Sequence, residues 1–277
     1  MLVTLSQILK DARAKKYGVG LFNMLNLEMM RGIIEAAEEE KSPVILGVAE
    51  VHLPIIPFNW AIHNMVKAAK EARVPVCLHF DHGTDYAKIL EAMRGGCSSV
   101  MYDGSALPYE ENIANTAEIV KVAKALGISV EAELGHVGGN EDGSDDGMED
   151  DYTNVAQVVD FVSRTGVDAL AVAIGTAHGQ YKKPPKLDLN RLAEINKVSK
   201  VPLVLHGGSG LSDDDFKKSI REGISKVNIC TDMLLAAQKA VTTTGSVDYS
   251  VSIVAAKEAV KKTVIEKMRL FGSSGKA

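Results

Sequence analysis

The chain has 277 residues, of which 46% are apolar and 24% are charged, a composition typical of a soluble globular protein with a large core. Its net charge of −5 and pI near 5.8 argue against nucleic acid or an anionic membrane as the main partner. The sequence has no run of 18 apolar residues and no basic region followed by an apolar stretch at its start. Three cysteines in apolar segments fit free thiols in a reducing compartment, so we expect a cytoplasmic protein.

In chain order, a predicted helix at 4–15, with Thr4 and Gln7 at capping-box spacing, is followed by alternating apolar runs and amphipathic stretches. The predicted strands, nearly continuous in apolar residues as strands covered on both faces are, are 18–23, 44–48, 76–80, 99–102, 129–133, 169–174, 202–205 and 226–230. The predicted helices between them are 26–40, 60–72, 85–94, 109–126, 154–165, 188–199 and 212–222. A helix at 232–240, a polar linker, a helix at 249–270 and a fraying tail end the chain.

Eight strands with helices between them, in about 250 residues, predict a single-domain α/β fold, a (β/α)8 TIM barrel. The N-terminal helix and a C-terminal segment at 242–277 extend it. An open doubly wound sheet should have fewer strands and a glycine-rich turn after the first one, where Asn23 and Met24 stand instead. A long connection rich in glycine and acids, at 135–151, is expected to be a mobile active-site loop.

Polar residues follow the predicted strands with great regularity, at the barrel pole where function is expected. Asp81 and His82 are adjacent, and only a strand end with a turning backbone brings both into one site, because neighbouring strand residues point in opposite directions. The other polar residues at strand ends are Asn23, Glu50, Asp103, Glu133, His178, His206, Asn228 and Thr231.

Three of these residues, each followed by glycine, are His82, His178 and His206. Catalytic Zn²⁺ takes three protein ligands and keeps one position open, where it polarises a carbonyl oxygen. We therefore predict a zinc site. Asp103 and Glu133 are interpreted as further metal ligands, as charged partners that hold the site or as members of a structural ion pair. The remaining histidines lack this setting and are interpreted as structural or surface residues, namely His52, His63, His79 and His136.

Two further segments, L-H-G-G-S-G at 205–210 and V-N-I-C-T-D at 227–232, predict a phosphate site in the loops after the seventh and eighth strands. Proton transfer is predicted for Asp81, which stands beside a metal-ligand histidine. Glu141 lies in the acidic loop, where one carboxylate could be delivered over the site as a base.

The chain resembles the class II, metal-dependent ketose-bisphosphate aldolases, in the branch of the tagatose- and fructose-bisphosphate aldolases. The motifs that carry this resemblance span nearly the whole chain. They are L-H-F-D-H-G (78–83), S-V-M-Y-D-G-S (99–105), V-E-A-E-L-G (130–135), G-G-N-E-D-G (138–143), A-I-G-T-A-H-G (173–179), V-L-H-G-G-S-G (204–210) and V-N-I-C-T (227–231).

The resemblance implies a carbon–carbon lyase of carbohydrate metabolism and glycolysis. The three histidines would hold Zn²⁺, with Asp103 and Glu133 as alternative or second divalent ligands. Asp81 would exchange a proton with the oxygen at the reacting bond, and Glu141 would remove the C3 proton of dihydroxyacetone phosphate. The residues implied to bind substrate are Asn23, Gly179, Gly207, Gly208, Ser209, Asn228, Ile229, Cys230 and Thr231. A monovalent cation, Na⁺ or K⁺, near the phosphate and a homodimer or homotetramer are also implied.

The substrate's aldehyde half stays open, because Ala49 stands where many members carry serine and residues 51–60 are bulky and apolar. Fructose 1,6-bisphosphate, tagatose 1,6-bisphosphate and other phosphorylated ketoses or deoxyketo-acid phosphates are all compatible, and each would be cleaved through a metal-stabilised enediolate. The alternatives are a metal-dependent sugar-phosphate epimerase or isomerase and a non-catalytic binding protein on the same scaffold.

Overall fold

The computed structural model describes residues 1–139, 151–181 and 185–277. Within these ranges the chain forms nine strands and ten α-helices. The strands are β1 (Leu2–Val3), β2 (Val19–Asn23), β3 (Val44–Ala49), β4 (Val76–Gly83), β5 (Ser99–Tyr102), β6 (Ser129–Leu134), β7 (Ala169–Val172), β8 (Leu203–Leu205) and β9 (Ile224–Ile229). The helices are α1 (Leu5–Lys15), α2 (Leu27–Glu40), α3 (Phe58–Glu71), α4 (Tyr86–Gly95), α5 (Tyr109–Ala125), α6 (Val155–Thr165), α7 (Leu189–Val198), α8 (Asp213–Arg221), α9 (Thr231–Thr244) and α10 (Tyr249–Phe271), and a 3-10 turn spans Glu50–His52.

Strands β2 to β9 close into a parallel barrel. Each pairs with the next along the chain, and β9 pairs back with β2. Their residues are buried, except for the partly exposed His82 near the end of β4, as expected for strands between a packed interior and an outer helical layer. The predicted (β/α)8 barrel is therefore confirmed. The short β1 was not predicted, and it pairs with the start of β4 through Leu2 and Val76.

Helix starts are set by polar caps directly after the strands or their loops. Asn26, Asp85, Asn154 and Asp188 each accept a backbone N–H of the first helical turn, which satisfies donors that have no partner inside the helix. Thr4 forms the predicted capping box with its side chain and Gln7. None of the helices in the described ranges is long and apolar enough to cross a membrane.

Helix α1 closes the N-terminal pole of the barrel. Its buried side chains belong to an apolar cluster with residues of the strand interiors, comprising Leu5, Ile8, Leu9, Ala12, Tyr17, Val19, Leu21, Ile45, Cys77, Ala169, Ala171 and Val204. Because this pole is filled with apolar side chains, polar interior residues are concentrated nearer the other pole.

Two expectations for the C-terminal segment were wrong. Helix α9 continues to Thr244, beyond the predicted end at 240. In this exposed last turn the hydroxyls of Thr242, Thr243 and Thr244 donate to backbone oxygens of the preceding turn. The tail does not fray, because Gly275 N donates to Glu40 O at 2.8 Å and Ala277 N donates to Lys41 O at 2.9 Å. The tail is thereby bound to the end of α2.

Candidate active site

The backbone at the end of β4 brings two consecutive side chains into one site. β4 runs three residues beyond its predicted end, and its register against β5 shifts between Phe80 and Gly83. His82 has φ +48°, in the left-handed region that non-glycine residues seldom adopt. This residue interrupts the alternation of a regular strand, so that Asp81, which is held by Asn228, and His82, which contacts His206, both lie at the C-terminal pole of the barrel.

Three imidazole rings converge at the C-terminal pole, and they belong to His82, His178 and His206. One ligand nitrogen from each ring lies within 4.8 Å of the others, and the ring centroids are 4.5 to 5.8 Å apart. The Nε2 atom of His82 and the Nδ1 atom of His206 are 2.7 Å apart. The three predicted zinc-ligand residues therefore lie together.

Carboxylates hold two of these rings from outside the cluster. His82 donates from Nδ1 to Asp103 Oδ2 at 2.7 Å, and His206 donates from Nε2 to Glu131 Oε1 at 2.8 Å. Each bond leaves the other nitrogen of its ring directed into the cluster. This is the arrangement in which metal-ligating histidines are usually oriented, so the donor set fits a divalent ion that takes imidazole ligands.

The third ring is held by the beginning of the loop after β6. His178 donates from Nδ1 to Gly139 O at 3.1 Å, and its backbone N–H donates to Gly138 O at 2.9 Å. His136 and Asp151 close the base of this loop with two backbone hydrogen bonds of 2.7 and 3.1 Å. Of the predicted loop 135–151, only residues 135–139 and 151 lie in the described part of the chain. Glu141 lies outside the described residues.

A second group of ligand atoms within 4.8 Å of one another comes from His82, Asp103 and Glu133. Glu133 Oε1 accepts from Val137 N at 2.9 Å, whereas its buried Oε2 atom has no hydrogen-bond partner within the described ranges. An orphaned buried carboxylate oxygen is costly, and a second divalent ion in this group would satisfy it.

Asp81 is fully buried beside the histidines and is held by two amides. Asn23 Nδ2 donates to its Oδ2 atom at 2.9 Å, and Asn228 Nδ2 donates to its Oδ1 and Oδ2 atoms at 3.1 and 3.2 Å. The Oδ1 atoms of both asparagines are buried without a hydrogen-bond partner in the described part of the chain. The two amides therefore hold the Asp81 carboxylate and still offer acceptors to a ligand.

Below this layer lies a charged network that sequence reasoning missed. Glu131 and Lys226 are fully buried and form an ion pair of 2.8 Å. His79, interpreted from sequence as structural or surface, is also buried, with Nε2 3.6 Å from Asp81 Oδ1 and 3.9 Å from Glu131 Oε2. One feature of the sequence could have identified these residues. Residues two apart in a strand point to the same side, so 79, 131 and 226 face the barrel interior together with 81, 133 and 228.

The pKa values of the rings differ because their neighbours differ. Burial acts to lower the pKa of His82, but the Asp81 and Asp103 carboxylates raise it to about 10. Burial and the positive charge of His82 lower the pKa of His178 to about 3 and that of His206 to about 4. Two of the three rings are thus neutral near pH 7, as metal ligation requires.

The pKa values of the two carboxyl groups Asp81 and Glu133 are also shifted in opposite directions by their neighbours. Burial opposes ionisation of Asp81, but His82 and His79 hold its pKa well below the usual range. Burial and the Asp103 charge raise the pKa of Glu133 to about 8. Asp81 is therefore an ionised base at neutral pH, whereas Glu133 carries a proton unless a cation replaces it.

The predicted substrate-binding residues at this pole lie in the loop after β7 (Gly179), in the loop after β8 (Gly207, Gly208, Ser209), at the end of β9 (Asn228, Ile229) and at the junction of β9 with α9 (Cys230, Thr231). Ser209 Oγ accepts from Cys230 N at 3.3 Å and from Asp232 N at 3.1 Å, which joins the β8 loop to the start of α9. Gly207 has φ +63°, and a Cβ atom there would clash with the Ala177 carbonyl.

Tyr181, which sequence reasoning missed, joins the β7 and β8 loops. Its hydroxyl donates to Gly207 O at 2.7 Å and accepts from Ala177 N at 3.1 Å. These three loops and the N-terminus of α9 at Thr231 lie together, a geometry suited to an anion.

Glu50, another residue predicted at a strand end, holds the segment that follows His82. Its carboxylate accepts from Thr84 N at 2.8 Å, Asp85 N at 3.2 Å and Lys88 Nζ at 3.0 Å. It therefore anchors the connection from β4 to α4.

Comparison with known proteins agrees with this geometry. The family model described as "Fructose-bisphosphate aldolase class-II" matches residues 3–276. The fructose-bisphosphate aldolase of Geobacillus stearothermophilus is 44% identical over 285 residues, covering 100% of this chain and 99% of that protein. The fructose-bisphosphate aldolase of Staphylococcus aureus (strain Mu50) is 41% identical over 286 residues, with the same coverage. The crystal structure of the YdjI aldolase from Escherichia coli K12 has a TM-score of 0.92 and 42% identity, and each chain is covered completely. The chain therefore belongs to the class-II fructose-bisphosphate aldolase family.

Proposed function

We propose that this protein is a zinc-dependent aldolase that reversibly cleaves a ketose 1,6-bisphosphate, of the fructose or tagatose type, into dihydroxyacetone phosphate and an aldehyde such as glyceraldehyde 3-phosphate. The observation that carries the proposal is the convergence of three oriented imidazoles beside the ionised carboxylate of Asp81. Family membership supports the same class of reaction.

His82, His178 and His206 would hold the catalytic ion, and Asp103 and Glu133 would supply ligands for an alternative or second divalent position. When bound, a zinc ion supplies Lewis-acid stabilisation of the negative charge that develops next to the ketose carbonyl as the bond breaks. The monovalent cation implied by the resemblance stays a prediction.

Asp81 would carry the proton at the reacting bond. Because its carboxylate is ionised and held by Asn23 and Asn228, it would accept the hydroxyl proton of the ketose during cleavage and return that proton to the aldehyde oxygen during condensation. Glu141 would remove the C3 proton of dihydroxyacetone phosphate, as the resemblance implies.

The linked loops after β7, β8 and β9 would bind the phosphate of dihydroxyacetone phosphate. Close backbone approach at Gly207 and Gly208, the hydroxyls of Ser209 and Thr231 and the N-terminus of α9 supply suitable donors. The Ser209 oxygen already accepts from two backbone N–H groups, and its own proton would be donated to the phosphate. The remaining predicted contacts are Gly179, Asn228, Ile229 and Cys230.

A second candidate is an aldolase for another phosphorylated ketose or a deoxyketo-acid phosphate. It is favoured by the segment after β3, where Ile55 is 62% exposed and Trp60 is 71% exposed. Exposed apolar residues beside a binding pole often contact a ligand. This segment would contact the aldehyde half, whereas the phosphate loops would serve both classes of substrate.

The test is a cleavage screen with fructose 1,6-bisphosphate, tagatose 1,6-bisphosphate and deoxyketo-acid phosphates, in which dihydroxyacetone phosphate is measured by its enzymatic reduction. Release of dihydroxyacetone phosphate from a 1,6-bisphosphate supports the proposal. Cleavage of only the other substrates selects the second candidate. Isomerised sugar without carbon–carbon cleavage would overturn both and favour an epimerase or isomerase.

We also propose a cytoplasmic enzyme of glycolysis or related sugar metabolism, since Cys77 and Cys97 are free and buried. A homodimer or homotetramer is supported by the tip of the α9–α10 pair, where Val247 and Tyr249 are exposed and would be covered by a second copy. Light scattering on the purified protein would test this: a monomer at micromolar concentration contradicts it.

A further inference from the structure

His206 differs from the other two rings in the nitrogen that it directs into the cluster. His82 and His178 make their outward hydrogen bonds from Nδ1, to Asp103 and to the Gly139 carbonyl. His206 makes its outward bond from Nε2, to Glu131 at 2.8 Å. The Nδ1 atom of neutral His206 can offer a lone pair to the cluster only while Nε2 carries the ring proton, and the Glu131 carboxylate accepts that proton's hydrogen bond.

Glu131 is in turn held by a lysine that lies entirely inside the barrel. Lys226 Nζ is 2.9 Å from Oε1 and 2.8 Å from Oε2 of Glu131, and both side chains are fully buried. Glu131 extends from β6 and Lys226 from β9, two strands that are not neighbours in the barrel wall. Their contact therefore crosses the barrel interior beneath the cluster of His82, His178 and His206.

Stability alone is a weak explanation for this pair. Burying an ion pair costs desolvation energy, and well-packed apolar residues of similar volume are often as stable or more stable. What an apolar pair could not provide is an acceptor at the position of Nε2 of His206. The hydrogen bond from His206 to Glu131 is therefore the contribution of this ion pair that an apolar pair of similar volume could not replace.

We propose that Glu131 is a positioning residue for His206, fixing the ring so that Nδ1 faces the metal, and that Lys226 balances the charge of the buried Glu131 carboxylate. The inference rests on the proposed metal-dependent function, and it assigns roles to two residues that touch neither substrate nor metal. Loss of such outer hydrogen bonds typically weakens metal binding about 10- to 100-fold.

Two double variants separate the effect of the hydrogen-bond acceptor at position 131 from the effect of the buried charges of Glu131 and Lys226. Glu131→Gln with Lys226→Met and Glu131→Leu with Lys226→Met both remove the buried ions, but only the first keeps an oxygen that can accept from Nε2. We expect zinc affinity, measured by competition with a chelator, to be about 10- to 100-fold weaker in the leucine variant. The visible absorption of bound Co²⁺, which reports ligand geometry, should shift in that variant and remain like wild type in the glutamine variant.

Equal zinc affinities and identical Co²⁺ spectra in the two double variants would overturn the proposal. Glu131→Asp gives a second comparison if the leucine variant does not fold, because it keeps a charge opposite Lys226 but withdraws the acceptor by one methylene. Wild-type zinc affinity and spectrum in Glu131→Asp would equally overturn it. Asp168→Asn is the matched control, since that carboxylate accepts from Val130 N at 2.8 Å and its loss should leave both measurements unchanged.

The proposed aldolase reaction and the proposed role of Glu131 are contradicted by different results. If wild-type protein binds zinc but cleaves no ketose phosphate, the proposed reaction is wrong, while the zinc-affinity comparison still decides the role of Glu131. If cleavage is found and the double variants bind zinc equally, only the positioning role is wrong.

Discussion

The Nε2 atom of His82 lies 2.7 Å from the Nδ1 atom of His206. Two lone pairs directed at each other repel, so this approach requires a positive charge at or beside the contact. A proton on His82 supplies it in the metal-free protein, consistent with its raised pKa, and a divalent cation would replace that proton. This contact therefore links the metal content of the protein to its proton binding and its stability.

Removing one ring of the cluster should remove metal and activity together. His206→Ala or His178→Ala should lower bound zinc well below one equivalent, and aldol cleavage should fall more than about 100-fold, because even loss of an outer hydrogen bond costs about 10- to 100-fold. Zinc content by elemental analysis and the initial rate of cleavage are the measurements. His63→Ala, an exposed position on α3, should change neither, and a zinc-free but fully active His206→Ala would end the metal hypothesis.

Asp81→Asn should separate proton transfer from metal binding. Zinc content and dihydroxyacetone phosphate binding should stay close to wild type, while kcat for cleavage should fall about 10²- to 10⁴-fold, the range typical of lost general acid–base catalysis. Steady-state kinetics and isothermal titration with dihydroxyacetone phosphate check the two parts. Asp11→Asn, on the exposed face of α1, is the control, and unaltered turnover in Asp81→Asn would exclude this residue from the mechanism.

The metal-free protein should be most stable near pH 6.5, about the pKa of an unfolded histidine. Below this pH the unfolded chain binds protons that folded His178 and His206 exclude, since their pKa values are about 3 and 4. Acid therefore destabilises the fold. Glu133 opposes this effect only in part, because it keeps one proton in the folded chain whereas two histidines exclude one proton each. Above it, folded His82 and Glu133, with pKa values of about 10 and 8, keep protons that the unfolded chain releases, so alkali also destabilises it.

Thermal unfolding between pH 4.5 and pH 9 measures this profile. Excess zinc should raise the midpoint more at pH 8 than at pH 6, because bound metal displaces protons from its ligands. His63→Gln should leave the profile unchanged. A metal-free midpoint that rises steadily from pH 6.5 to pH 8.5 would contradict the assignment of the retained protons to His82 and Glu133.

Glu50→Ala should loosen the segment that follows His82. The carboxylate bonds two consecutive backbone N–H groups, so its loss should cost about 1 to 3 kcal/mol of unfolding free energy and weaken zinc binding severalfold. Urea unfolding and chelator competition report the two effects. Lys88→Met removes only the partly exposed ion-pair partner of Glu50 and should cost less than about 1 kcal/mol of unfolding free energy. Equal losses of stability and zinc affinity in the two variants would refute the proposal that Glu50 holds the segment after His82.

The predicted site residues follow from a simple physical rule, that the carboxyl ends of parallel barrel strands meet at one pole. It brought together His82, His178 and His206, which lie far apart in the chain, and placed Asp81 with Asn228. The roles of these residues stay predictions.

Glu131 and Lys226 escaped the same reasoning because they lie within strands, where charged residues are not expected. Their contact runs across the barrel interior between strands that are not neighbours in the wall, so adjacency in the sheet would not have revealed it. The bound C-terminal tail was missed for a similar reason, because its partners Glu40 and Lys41 are distant in sequence.

The left-handed backbone conformation of His82 at the end of β4 also affects how the substrate of such an enzyme could change. Asp81 and His82 are joined by one peptide bond, so the separation between the proposed proton carrier and the ion is set by local covalent geometry and not by loop length. Insertions or replacements in the segment after β3 could therefore reshape the aldehyde subsite while the bond-breaking machinery keeps its dimensions. A family built in this way can diversify its sugars without rebuilding its chemistry.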